Sequence, residues 1–195
     1  MKIGILALQG AFIEHKTMLE TIAQTTNRTI ECVELRQKND LADIDGLILP
    51  GGESTVQGQL LRKLHMLQPL KELIGQGLPV LATCAGLILL AEKLENDTTS
   101  HLCTLPITVK RNAYGRQLGS FKTTSDIGII SNFPMVFIRG PYITQISPDV
   151  TPLVSVNGNL VGVEYHNQIG LAFHPEMTDD PRLHLHFLDK VAQRQ

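Results

Sequence analysis

Three short apolar runs, each closed by small residues, constrain this chain more than any other feature of its sequence. "KIGILAL" (2–8) stops at Gln9 and Gly10, and "DGLILPGGEST" (45–55) breaks at Pro50 and two glycines. "LPVLATCAG" (78–86) runs into Cys84, Ala85 and Gly86. Runs this short and this apolar are what parallel strands covered on both faces require. Helical spacing lies between them. Phe12, His15, Met18, Leu19 and Ile22 mark a helix over 11–24, a long helical stretch fills 56–75, and another fills 85–95. The β-branched alternation of "TIECVEL" (29–35) adds a strand. This βαβ rhythm predicts an α/β fold, a three-layer sandwich whose mostly parallel central sheet carries helices on both faces.

The second half reads differently. Residues 104–173 are short alternating runs between turn signals, and antiparallel hairpins are expected there. Asn157-Gly158 is a type I′ hairpin signal, and a second hairpin is expected to turn at Asn167-Gln168. A closing helix over about 180–193 has Asp180 placed to cap it and Pro181 at its first position. No linker interrupts residues 1–195, so they read as one domain.

Composition removes several function classes. A formal net charge of -2 leaves no electrostatic footprint for nucleic acid or an anionic membrane. The apolar N-terminus is too short to span a bilayer and has no signal-peptide cleavage pattern. Cys32, Cys84 and Cys103 show no CxxC spacing, which argues against a disulfide framework or a zinc site and for a reducing, cytoplasmic setting. His184 and His186 lie two apart on a helix and make a poor metal pair. No metal or cofactor is expected. His65, His101 and His166 read as surface or turn residues, and Cys32 and Cys103 as bystanders.

Chemistry concentrates at the ends of the apolar runs. Ala82-Thr83-Cys84-Ala85-Gly86 has the small-x-nucleophile-x-small form of a nucleophile elbow. There a helix N-terminus would face the sulfur and favour thiolate. Taken alone, the segment fits a packed core cysteine equally well. "GLAFHPEMT" (170–178) places His174 two residues before Glu176, on the same side of an extended backbone. Glu176 can then orient the ring while its other nitrogen faces a thiol, the logic of a hydrolase triad. The Gly51-Gly52 pair can turn backbone N–H groups into a cleft. We assign two oxyanion donors to Gly52 and Ala85, each worth roughly 3–4 kcal/mol in a formed hole. A phosphate cradle is the rival reading, but the P-loop spacing and its lysine are missing. Arg111, Arg116 and Arg139 are loop cations that could hold a substrate carboxylate, though spacing alone favours solvated surface.

These segments resemble class I, triad-type glutamine amidotransferases, and among them the family of glutaminase subunits of pyridoxal 5′-phosphate synthases. "GILALQGAFIEH" (4–15), "DGLILPGGEST", "TCAGLILLA" (83–91), "RNAYGRQLGSF" (111–121), "VFIRGPYI" (136–143) and "FHPEMTDD" (173–180) carry the resemblance nearly end to end. It implies hydrolysis of L-glutamine to L-glutamate and ammonia, with Cys84 as nucleophile, His174 as base and acid, and Glu176 as orienter. It implies a glutamine site lined by Gly51, Gly52, Glu53, Arg111, Ile138 and Arg139. It further implies a synthase subunit as ammonia acceptor and activator, docking near Gln9 and Gly10. Two rival readings are a self-sufficient γ-glutamyl hydrolase and a non-catalytic subunit that kept the fold.

Overall fold

The computed structural model describes residues 1–112 and 120–194. In chain order the first half runs β1 (Lys2–Leu6), α1 (Phe12–Thr25), β2 (Glu31–Leu35), β3 (Gly46–Leu49), α2 (Ser54–Lys63), α3 (Leu67–Gly75), β4 (Val80–Thr83), α4 (Ala85–Leu90) and β5 (Ala91–Leu94). The second half runs β6 (Leu105–Lys110), β7 (Ser120–Ile127), β8 (Ile130–Ile138), β9 (Tyr142–Ile146), β10 (Thr151–Val156), β11 (Asn159–Tyr165), β12 (Gln168–Leu171) and α5 (Arg182–Arg194).

The main sheet has the order β2-β1-β3-β4-β12-β11-β9-β6-β5, with β10 branching from β11. From β2 to β12 every pairing is parallel. Beyond β12 the sheet turns antiparallel through β11, β9 and β6, and β5 closes it in parallel. The apolar runs explain the parallel half, because every residue of β3, β4 and β12 is buried. α1 packs with α5 against the sheet, α2 packs with α3 and α4, and β7 and β8 form a separate hairpin.

The expected 56–75 helix is two helices. Pro69 has no N–H to donate, and its ring would strike the carbonyl four residues back in a continuous helix. The chain therefore breaks at His65, whose φ is +54, and restarts at Leu67 with Pro69 in the tolerant first turn. The expected 85–95 helix ends at Leu90. Ala91–Leu94 instead pairs with β6, with Glu92 and Lys93 exposed and Leu94 buried. Asn157 and Gly158 both take positive φ in the first hairpin, as the sequence demands. The second turns one residue earlier than expected, at His166-Asn167, because Tyr165 pairs with Gln168 and His166 takes φ +50. The last helix starts at Arg182, whose backbone N–H donates to Asp180 Oδ1 at 3.1 Å.

Candidate active site

β4 and β12 lie side by side and end together, which brings residues 83–84 next to residues 171–174. Cys84 N–H donates to the Leu171 carbonyl at 2.8 Å, and His174 N–H donates to Val136 on β8 at 2.8 Å. Cys84 occupies the turn from β4 into α4 at φ +48 and ψ -100. The turn is sharp enough that α4 crosses directly over the end of β3, where a Cβ on Gly86 would drive into the Leu49 carbonyl. Glycine at 86 is thus required by backbone proximity.

His174 and Glu176 meet as expected, with Nδ1 and Oε1 2.7 Å apart and both side chains buried. The backbone route differs. Pro175–Met177 forms a single 3-10 turn, so the contact comes from a tightened chain and not from an extended strand. His174 Nε2 is buried, and the Cys84 thiol is the group it meets. Burial opposes a charge on the ring, yet hydrogen bonds with Cys84 and Glu176 outweigh it and raise His174 to about 10. Burial likewise pushes Glu176 up, and its contacts with His15 and His174 bring it below the ordinary carboxylate range.

The mouth of this arrangement is a cavity of about 640 Å³, a size suited to a small polar metabolite. Gln9, Gly10, Gly51, Gly52, Glu53, Cys84, Arg111, Ile138, Arg139 and His174 all line it. Ala85 and Glu176 sit behind its wall, Ala85 as the first residue of α4 and Glu176 beneath the His174 ring. Arg111 is braced by Asp97 Oδ2 and Thr55 Oγ1, both at 3.1 Å. Arg139 follows β8 at φ +47, and the Ile138 carbonyl is 4.0 Å from Cys84 Sγ. Arg116 lies outside the described residues.

The loop 50–53 is laced to the loop 9–11. Glu53 N–H donates to Gln9 Oε1 at 2.7 Å, Gln57 Nε2 donates to the Gln9 carbonyl at 2.9 Å, and Ala11 N–H donates to the Gly51 carbonyl at 3.0 Å. Glycine at 51 and 52 has steric causes. A Cβ on Gly51 would strike the His174 ring, and one on Gly52, at φ +155, would strike Gln9 Oε1.

Several residues escaped the sequence reading. Ser54, Asn112 and Ser120 also line the cavity. His101 is buried under Gly58 and beside Arg62, not at the surface. His15 and His184 are fully buried and 2.9 Å apart, with His15 directly behind Glu176. A histidine at an apolar position of a helical pattern was the available signal, since a buried imidazole needs polar company.

Known structures share this architecture. A crystal structure of a glutamine amidotransferase, 36% identical, superposes with a TM-score of 0.91 over 97% of this chain and 98% of its own. PurLQS from Thermotoga maritima shares the fold at 17% identity, with a TM-score of 0.65 over 98% of this chain and 95% of that one. The class is therefore the glutamine amidotransferase fold. At the level of sequence, the SNO glutamine amidotransferase family matches residues 5–193, and the chain belongs to that family. Similar proteins include the pyridoxal 5′-phosphate synthase subunit PdxT of Desulfitobacterium hafniense (strain DSM 10664 / DCB-2), 57% identical over 98% of this chain and 94% of the relative. PdxT of Haemophilus influenzae (strain PittEE) is 50% identical over 98% of this chain and all of the relative.

Proposed function

We propose that this chain hydrolyses L-glutamine to L-glutamate and ammonia, and that a pyridoxal 5′-phosphate synthase receives the ammonia. The observation that carries the reading is that Cys84 and His174 line one cavity, with Glu176 held against His174 behind it, in a member of this family.

Cys84 sulfur attacks the side-chain carbonyl carbon of glutamine while His174 Nε2 holds the thiol proton. The N–H groups of Gly52 and Ala85 receive the developing oxyanion. His174 passes the proton to the departing nitrogen, so ammonia leaves and a γ-glutamyl thioester remains on Cys84. Water then attacks the thioester, gives a proton to His174, and releases glutamate as that proton returns to sulfur. Glu176 holds His174 Nδ1–H throughout, which fixes both the ring and its tautomer. At the mouth, Arg111 and Arg139 suit the substrate's α-carboxylate and Glu53 its α-ammonium group, with Ile138 against its methylenes. Gly51 serves by leaving room for the His174 ring.

The synthase subunit docks over Gln9 and Gly10. The lacing between loops 9–11 and 50–53 supports this, because a partner pressing on Gln9 moves the acceptor that holds Glu53 N–H beside the Gly52 donor. Three unbridged cysteines suit a cytoplasmic setting. A glutamate-release assay with and without the synthase subunit tests the reading. Turnover is expected to rise strongly on adding the subunit and to vanish in Cys84→Ala. Substantial turnover in Cys84→Ala removes the proposed nucleophile.

A further inference from the structure

Behind Glu176 lies a polar chain that the hydrolysis just described does not use. We infer that His15 and His184 are positioning residues, a neutral relay of hydrogen-bond donors that fixes the Glu176 carboxylate against His174. This rests on the glutaminase reading and deepens it.

His15 on α1 and His184 on α5 are both fully buried, where an imidazole is costly unless its nitrogens are matched. His15 Nδ1 and His184 Nε2 are 2.9 Å apart. His15 Nε2 lies 3.2 Å from Thr83 Oγ1 and 3.5 Å from Glu176 Oε2. Thr83 Oγ1 in turn lies 3.5 Å from Glu176 Oε1, the oxygen that receives His174 Nδ1–H.

The proton positions follow from the acceptor at the end. An ionised carboxylate only accepts, so His15 Nε2 carries the proton that faces Thr83 and Glu176. Burial lowers the pKa of both His15 and His184, so His15 is neutral and its Nδ1 is a bare lone pair. His184 must then donate from Nε2, which leaves its Nδ1 unprotonated, a nitrogen that is buried without a hydrogen-bond partner, as Glu176 Oε2 is. Every donor in the chain is thus turned toward Glu176: His184 to His15, His15 to Thr83, and Thr83 to the carboxylate Oε1, with His15 Nε2 3.5 Å from Oε2.

A neutral relay does what a cation could not. It restrains the carboxylate rotamer and favours the ionised form, but leaves the full negative charge for His174. The titratable and charged groups facing this centre are His174 and, through it, Cys84, then His15, His184, and Glu14 acting on His15 from its own helix.

The test is glutaminase activity as a function of pH, in complex with the synthase subunit, for wild type, His15→Leu, His15→Gln and His184→Leu. His15→Leu is expected to lower kcat about 10- to 100-fold, less than the roughly 10⁴-fold effect of disabling a triad carboxylate itself. KM should stay within about twofold. The acid limb of the profile should move up by about one pH unit, because Glu176 loses donors to its ionised form. His15→Gln, which can present an amide N–H, should recover most of both, and His184→Leu should shift the limb less in the same direction. An unmoved acid limb with lowered kcat means a packing role only and overturns the inference, as does a Gln variant no better than Leu. If His15→Leu does not fold by circular dichroism, the His15→Gln and His184→Leu profiles decide by the same criteria. The pH dependence of Cys84 alkylation by iodoacetamide reads the same couple without turnover, and an unshifted profile overturns the inference even then. An inactive wild-type complex counts against the glutaminase reading, not against the relay.

Discussion

Cys84 is held at φ +48 and ψ -100, a conformation that costs a non-glycine residue about 1–3 kcal/mol and persists only under surrounding constraint. Its hydrogen bond to Leu171 and the close passage of Gly86 over Leu49 supply that constraint. Gly51 plays the matching part for His174. A methyl group there enters the space of the imidazole and pushes the ring off the sulfur, so Gly51→Ala should lower kcat/KM about 100-fold, the scale of an ångström-sized misplacement. Steady-state kinetics beside a thermal melt will check this, and a fall in Tm without loss of activity would contradict it. At this scale the juxtaposition of Cys84, His174 and Glu176 was legible because they sit at strand ends beside small residues. His15 was not, because a helical pattern scores a histidine on the core face as one more buried position. Only the fold shows that Glu176, 93 residues from Thr83 in the chain, lies on the other side of it.

Elements were legible wherever local chemistry decided them and illegible where a neighbour did. Asn157-Gly158 specifies its turn alone, and the buried runs specify β1, β3 and β4. The segment after Leu90 has strong helix formers, yet β6 offers a strand partner and the sheet takes it. The break between α2 and α3 was readable from Pro69, whose restriction outweighs the helical period around it. That break leaves His65 exposed at φ +54, a region natural to glycine. His65→Gly should therefore stabilise the protein by about 0.5–1 kcal/mol, the left-handed penalty partly offset by greater freedom of the unfolded chain. Urea unfolding measures it, and a lower midpoint for the glycine variant would show that His65 is not strained.

For the whole molecule, the buried imidazoles set the pH dependence of folding. His184 stays neutral in the folded protein down to about 3 but titrates near its ordinary value once unfolded. Over that interval the unfolded chain binds the extra proton, so stability falls as the pH drops, by about 1.4 kcal/mol per unit for one such group. His15, lowered by the same burial, acts in the same direction. His174 is raised to about 10, so its contribution is complete below its unfolded value and is lost as the pH climbs toward 10. Stability should therefore peak near neutrality, and chemical denaturation across pH should show His184→Leu with a shallower slope between about pH 4 and pH 6. An unchanged slope would show that His184 is not the group being titrated.

The place of β12 in the sheet, between β4 and β11, has a consequence for how the protein is made. Ribosomal synthesis delivers β4 and its cysteine long before the strand that must lie beside it, and until then the parallel half has an open edge at β4. A pairing of such sequence separation forms late and slowly. Cys84 therefore stays apart from His174 until β12 is in place, and the proposed chemistry becomes possible only with that strand.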